Sequence, residues 1–145
     1  MRTGYPFSAF SGVDTGRQVN GWAPEYPDLA PGASDNPVIG NVDRWFDPSA
    51  FVLPAPGFIG TLPRNTIIGP NMKTVDLMAG KNVGLWGGSE LQLRFEVYNL
   101  FNRANFGLPQ QTVFNANGTV REDAGRITNT STSARQMQLG VKVVW

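Results

Sequence analysis

Apolar and polar side chains alternate along the end of the chain, and this period of two is typical of a β-strand with two different faces. One face of the expected strand carries Met137, Leu139, Val141, Val143 and Trp145, and the other Gln136, Gln138, Gly140 and Lys142. A second alternating stretch presents Leu91, Leu93, Phe95, Val97 and Phe101 on one side. No stretch shows the period of 3.6 residues that an amphipathic helix needs. The pattern predicts an all-β chain.

Three strands and their connections are expected from the same pattern. The strands are predicted over residues 73–83, 90–101 and 135–145, with a short glycine-rich turn at 84–89. The first strand is the least regular, because Met78 and Lys81 fall on the wrong sides of the alternation. Residues 102–134 are polar and rich in turn formers, with a small hairpin expected around Asn115–Gly118.

Most of the 11 prolines fall between Pro24 and Pro70. A helix cannot continue through such spacing, and a central strand would lose hydrogen-bond donors. Residues 8–72 are therefore expected to form one long, largely irregular loop. The connections alternate long, short and long, as in a transmembrane β-barrel. A strand of about 12 residues, at roughly 3.3 Å each and tilted by roughly 45°, spans about 28 Å, close to the hydrocarbon thickness of a membrane.

The chain of 145 residues has no cysteine and no histidine, and its formal net charge is +1. Disulfides, Cys/His zinc sites and Ser-His or Cys-His nucleophile pairs are thereby excluded. The loop carboxylates lack the spacing of a calcium loop. A near-neutral charge without a basic run argues against nucleic acid as a partner. We therefore expect no enzyme activity, no metal site and no cofactor.

Period-two alternation alone does not separate a lipid-facing barrel wall from a half-buried soluble sheet. A soluble all-β binding or adhesion module, for example a carbohydrate-binding sheet, is the alternative. The charged residues Asp76, Arg94, Glu96 and Lys142 fall on the polar faces of the expected strands. They would face the polar lumen of a barrel, or they are solvated or paired across strands.

Several motifs resemble one family. They are Leu62-Pro63-Arg64-Asn65-Thr66, Val75-Asp76-Leu77, Leu93-Arg94-Phe95-Glu96-Val97-Tyr98-Asn99-Leu100-Phe101-Asn102, Asn105-Phe106-Gly107 and Gly125-Arg126-Ile127-Thr128. Upstream, Trp45-Phe46-Asp47-Pro48 fits the same pattern. Together these stretches resemble the C-terminal end of a TonB-dependent outer-membrane receptor. The resemblance is strongest to the Oar-like group, whose N-terminus carries a carboxypeptidase-regulatory-like domain.

The resemblance implies a fragment of a transmembrane β-barrel, because members of the family are many hundreds of residues long and three strands cannot close a barrel. Met1 would then be an internal or misassigned start. Residues 1–7 would be the end of a strand, residues 8–72 and 102–134 extracellular loops, and the C-terminus would lie at the periplasmic rim. The chain would supply barrel wall and outer loops to a transporter that imports an unidentified solute.

The resemblance also implies site residues and partners. The residues expected to face lipid are Leu91, Leu93, Phe95, Val97, Met137, Leu139, Val141 and Val143. Trp145 would be the signal that the barrel-assembly machinery reads. The expected partners are outer-membrane lipid, that machinery, the rest of the barrel with its plug, and the transported solute.

Overall fold

The computed structural model describes residues 1–17 and 25–145. Within these residues the regular structure is almost entirely β-strand, with two single 3-10 turns at Pro48–Ala50 and Trp86–Gly88. The strands are β1 (Pro6–Phe7), β2 (Asp28–Leu29), β3 (Phe51–Val52), β4 (Ile67–Ile68), β5 (Leu77–Gly84), β6 (Glu90–Tyr98) and β7 (Gln136–Val144). No helix in the described part of the chain is long and apolar enough to cross a membrane.

The described chain forms two compact units. The first, named the sheet unit here, consists of residues 1–2, 72–105 and 130–145. The second, named the loop unit, consists of residues 3–71 and 106–129. Each unit joins segments that are far apart in the chain, so each depends on non-local contacts.

The sheet unit contains one antiparallel sheet with the strand order β5–β6–β7. The central strand β6 is paired along its whole length with β7 on one side, and with β5 over all but its last residue on the other. The outer edges of β5 and β7 have no partner strand among the described residues. Since the smallest closed barrels have about eight strands, this sheet is open. The prediction of an all-β chain with antiparallel strands of an incomplete barrel is confirmed.

The strands are shorter than the sequence pattern indicates. β6 ends at Tyr98 and not at residue 101, because Asn99 has a φ of 53° and its carbonyl accepts a hydrogen bond from the N–H of Asn102 (2.8 Å). A left-handed residue that closes a turn cannot continue an extended ladder. Phe101, expected on the apolar face, consequently lies in this turn and is exposed. β5 begins at Leu77 and not at residue 73.

The turn between β5 and β6 is held by one hydrogen bond, from the N–H of Leu85 to the carbonyl of Ser89 (2.8 Å). Gly87 and Gly88 have φ values of 71° and 83° inside it. Residues other than glycine are strained at such φ values, because their Cβ atom clashes with the backbone. The glycine pair therefore lets β5 and β6 become antiparallel neighbours through a very short link.

The loop unit has a hydrophobic core, which the expectation of a long irregular loop over residues 8–72 does not include. The buried core residues are Phe7, Ala9, Phe46, Ala50, Phe51, Leu62, Ile67, Val113 and Phe114. The ring of Phe46 meets that of Phe51 edge-on, with centroids 5.7 Å apart. Among the described residues of this unit, regular structure consists of the 3-10 turn at Pro48–Ala50 and the two-residue ladders β1–β4 and β2–β3. Such short elements are expected for a proline-rich stretch. Residues 18–24 of this stretch lie outside the described residues.

The second stretch that was expected to be a separate loop supplies part of this core. Val113 and Phe114 belong to it, and Phe10 pairs with Thr112 in a parallel bridge. The N–H of Val113 donates to the carbonyl of Phe10 (2.9 Å). The expected hairpin is present as a bridge between Phe114 and Val120. The two stretches thus fold together as one unit.

Candidate lipid-facing and lumen-facing surfaces

The strand register joins the apolar sides of β5, β6 and β7 into one surface. Residues directly opposite each other in an antiparallel ladder point to the same side of the sheet. The rows on this side are Leu77–Val97–Met137, Ala79–Phe95–Leu139, Lys81–Leu93–Val141 and Val83–Leu91–Val143. We name this surface the apolar face. It contains all eight residues that the sequence predicts to face lipid.

Most of the apolar face is exposed. Met137, Leu139 and Val141 are 67%, 72% and 62% exposed. A contiguous exposed apolar surface marks an interaction site with a partner or a membrane. Val97 departs from the expectation, because it is only 4% exposed and is therefore not available to lipid in this structure. The remaining members, Leu91, Leu93, Phe95 and Val143, are half-buried or exposed.

Lys81 is the charged residue within these rows, opposite Leu93. On the lipid side of a barrel, a lysine costs about 2–4 kcal/mol at the bilayer midplane and about 0–1 kcal/mol near the interface. The row of Lys81 is second from the β5–β6 turn, and a lysine stem can lie along apolar surface while its amine reaches water. The alternation along β5 is therefore irregular because the charged Lys81 does lie on the apolar face.

The opposite side of the sheet, named the polar face, gathers three of the four predicted lumen-facing residues. Its rows are Met78–Glu96–Gln138, Gly80–Arg94–Gly140, Asn82–Gln92–Lys142 and Gly84–Glu90–Val144. Arg94 and Glu96 form an ion pair (Nη1···Oε1 3.6 Å), and the hydroxyl of Tyr98 donates to Glu96 Oε2 (3.1 Å). The charges of Arg94 and Glu96 are thus paired within β6, between residues two positions apart.

Glycines shape the polar face around Arg94. Gly80 and Gly140 are its direct neighbours in the row, so neither flank carries a side chain. A recess of about 390 Å³ lies beside it, lined by Gln92, Arg94, Gln138, Gly140, Val141 and Lys142. Two cations and two amides make this recess suited to contact with polar or anionic groups.

Asp76, the fourth residue predicted to face the lumen, lies one position before β5. Its Oδ1 accepts a hydrogen bond from the N–H of Asn99 (2.8 Å). The carboxylate thus joins the start of β5 to the residue that ends β6. This geometry gives Asp76 a structural role at the end of the sheet.

Three asparagines occur at intervals of three residues after β6: Asn99, Asn102 and Asn105. We name them the asparagine clamp. Asn99 Nδ2 donates to the carbonyls of Arg103 (3.0 Å) and Ser133 (3.1 Å). Asn102 Oδ1 accepts from the N–H of Arg135 (3.0 Å). These side chains therefore attach the end of β6 to the segment that enters β7.

Asn105 makes the third attachment and is fully buried. Its Oδ1 accepts from the N–H of Lys73 (2.8 Å), and its Nδ2 donates to the hydroxyl of Thr132 (3.0 Å). Sequence reasoning places these asparagines only in a family pattern and misses their role as a clamp. Their regular spacing directly after an alternating strand was the available signal.

Trp86 and Trp145 lie at the same end of the sheet, because the turn precedes Glu90 and Glu90 pairs with Val144. They are 90% and 95% exposed. Tryptophan is enriched where a membrane meets water, since its ring is apolar and its N–H is polar. The two residues are therefore suited to an interfacial position.

One strong ion pair lies in the loop unit. Arg121 donates to both carboxylate oxygens of Asp123, at 2.9 and 2.8 Å. These hydrogen bonds hold the pKa of Asp123 below its usual value and raise the pKa of Arg121. In the described part of the chain, no group of three or more Asp, Glu, His or Cys side chains is placed to hold a metal ion.

Comparison with known proteins gives one family. A family model described as an outer membrane beta barrel domain matches residues 1–138, which is nearly the whole chain. The search of curated proteins and the search of solved structures returned no match.

Proposed function

Because the chain belongs to the family of outer membrane beta barrel domains, we propose that it is the C-terminal part of a TonB-dependent transporter that imports a solute across the outer membrane. The protein is located in the outer membrane, and its sheet is a segment of a barrel wall. The observation that carries the barrel-wall part of the proposal is the two-sided sheet, with one exposed apolar face and one polar face joined in register across three strands. A soluble all-β module is set aside, since the family is one of outer membrane barrels.

The two faces suggest which side meets lipid. Strands of a transmembrane barrel alternate between apolar residues that face the hydrocarbon and polar residues that face the interior. In this proposal the apolar face contacts lipid. The polar face, with Arg94, Glu96 and Lys142, contacts the lumen and the plug. The two exposed tryptophans then lie at the periplasmic interface, beside the β5–β6 turn.

The assignment to a TonB-dependent transporter rests on the resemblance of the motifs, including Phe95–Asn102, to the C-terminal end of such receptors. In that arrangement the segments of the loop unit are extracellular. The chain performs no catalysis and takes no cofactor. Its proposed partners are lipid, the remaining barrel strands, the plug and the barrel-assembly machinery, which reads Trp145.

The native gene product tests the assignment. Antibodies raised against the 145-residue chain are used to probe outer membranes of the source cells, and the captured protein is tested for binding to the periplasmic domain of the TonB protein. We expect a product several times longer than this chain that binds TonB, whereas a porin from the same membranes does not. A product of only 145 residues, or a long product without TonB binding, would contradict the proposal.

The assembly signal has its own test in the full-length protein. We expect Trp145→Asp to lower the amount of barrel in the outer membrane. Val144→Asp is the matched control, because Val144 belongs to the opposite face. Equal membrane levels for Trp145→Asp and the unchanged protein would overturn the role given to Trp145.

A further inference from the structure

The loop unit contains a pocket of about 520 Å³. This volume is within the range of roughly 300–1,000 Å³ that small-molecule sites occupy. Three of the residues that line it are apolar: Leu29, Leu62 and Pro63. The others are polar and belong to two segments, one at Asp35 and Asn36 and the other at Thr61–Thr66.

Two neighbouring residues that line the pocket, Asp35 and Asn36, are exposed to solvent and so accessible to a ligand. In the part of the chain that the structure describes, the Asp35 carboxylate and the Asn36 side-chain amide have no hydrogen-bond or ion-pair partner. The carboxylate offers two acceptor oxygens, and the amide offers one acceptor and two donor hydrogens. Together they can accept from and donate to adjacent hydroxyl groups.

The two threonines add acceptors. The hydroxyl of Thr61 donates to Asp28 Oδ1 (2.7 Å), which also accepts from the N–H of Thr61 (2.7 Å). The hydroxyl of Thr66 donates to the carbonyl of Pro63 (3.4 Å). Because each hydroxyl has a single hydrogen, both can only accept from a ligand. The pocket is therefore rich in acceptors, which suits a ligand with several O–H groups.

The negative charge and the apolar residues of the pocket further narrow the class of ligand that it can bind. Asp35 is the charged residue among the described residues that line the pocket, so an anionic ligand would be repelled. An alkylammonium ion could pair with Asp35, but it has no acceptor to offer the exposed amide hydrogens of Asn36. A pyranose ring has hydroxyls around its edge and an apolar C–H face that can pack on Leu62 and Pro63.

We propose that this pocket binds a neutral sugar, with its hydroxyls held by Asp35, Asn36 and the two threonines. A neutral sugar is then the solute class of the proposed transporter, and the inference rests on that proposed function only for the transport step. Binding itself requires neither TonB nor an energised membrane. A failure to bind sugar and a failure to associate with TonB are therefore separate results.

The test uses the full-length protein in detergent micelles, labelled selectively in asparagine, threonine and valine, and NMR titration with maltose, cellobiose and sucrose. We expect saturable shifts of the Asn36 side-chain amide and of the Thr61 backbone amide. Asp35→Ala should weaken binding at least tenfold, since a hydrogen bond to a charged group is lost. Asp43→Ala is the matched control, because Asp43 is an exposed carboxylate of the loop unit that does not line the pocket.

Folding of the loop unit is checked in the same spectra. The backbone N–H of the buried Val113 donates to the carbonyl of Phe10 (2.9 Å), so its protection from solvent exchange reports that the unit is folded. With that signal protected, the absence of shifts at roughly 10 mM sugar, above the millimolar constants of weak complexes, would overturn the proposal. Shifts with butylammonium alone, or sugar binding that survives Asp35→Ala unchanged, would overturn it equally.

Discussion

The side-chain amide of Asn99 donates a hydrogen bond to the backbone carbonyl of Ser133, which lies 34 positions later in the chain (Nδ2···O 3.1 Å). The backbone N–H of the same asparagine donates to Asp76. One buried residue at the end of β6 is thus bonded to the segments that flank both neighbouring strands. Beyond the last ladder pairs, these side-chain bonds act together with a backbone bond from the N–H of Leu100 to the carbonyl of Val75 (2.8 Å) to hold this end of the sheet.

Replacing Asn99 with alanine tests this role. We expect a loss of about 2–5 kcal/mol in the free energy of unfolding. Removal of the side chain leaves carbonyl and N–H groups without their hydrogen-bond partner, which costs about 1–3 kcal/mol. An alanine in the left-handed backbone conformation costs roughly another 1–2 kcal/mol. Urea unfolding in micelles measures the change.

Asn99→Gly separates the two causes, because glycine tolerates the φ of 53° but makes no side-chain hydrogen bonds. We expect it to lose less stability than Asn99→Ala. Equal losses in both variants would show that backbone strain is negligible. No loss in either would show that the clamp does not stabilise the sheet.

Gly12 and Gly32 make a matched pair for the packing of the loop unit. Their φ values are 75° and 77°, so alanine is similarly strained at both positions. A Cβ at Gly12 would collide with Thr112 Cγ2 and lie 2.7 Å from the carbonyl oxygen of Phe114, whereas Gly32 has open space. We expect Gly12→Ala to destabilise the loop unit by about 1–3 kcal/mol more than Gly32→Ala, the usual cost of overpacking. Similar urea midpoints would show that residues 8–17 and 111–114 do not pack closely.

Leu139 and Gln138 are adjacent in β7 but belong to opposite faces. If the apolar face contacts lipid, Leu139→Arg should cost about 2–4 kcal/mol in a bilayer. Gln138→Arg should cost far less, because it enters the polar face. Unfolding of the full-length protein in lipid vesicles measures both. Equal losses would contradict the assignment of the two faces.

Arg121→Gln is expected to raise the pKa of Asp123, since the hydrogen bonds from Arg121 are what hold it below its usual value. A carboxyl with a lowered folded-state pKa adds stability above its unfolded pKa of about 3.9 and loses it as the pH falls through the folded value. In the variant this dependence on acid pH should shrink. An NMR titration of the Asp123 carboxyl carbon checks the shift, with Arg44→Gln as the control. An unchanged pKa in Arg121→Gln would rule out the ion pair in solution.

The bounds of the elements show where sequence reasoning stops. The strand expected over residues 90–101 ends at Tyr98 in the structure, at the point where the alternation breaks at Asn99 and Leu100. That break was visible in the sequence, but the left-handed turn behind it depends on hydrogen bonds to Asp76 and Ser133. Those partners are distant in the chain, so local pattern could not identify them.

The sequence by itself determined the existence of the three long strands and the composition of their faces, because side chains two apart in a strand share a side whatever the strand pairs with. Only the tertiary structure decided which residues lie opposite each other, that Val97 is buried, and that residues 3–71 and 106–129 share one core. Register and core packing arise from contacts between segments remote in sequence. Phe46, Val113 and Phe114 are buried by those contacts. The segments that contain them have no alternating pattern that would predict this burial.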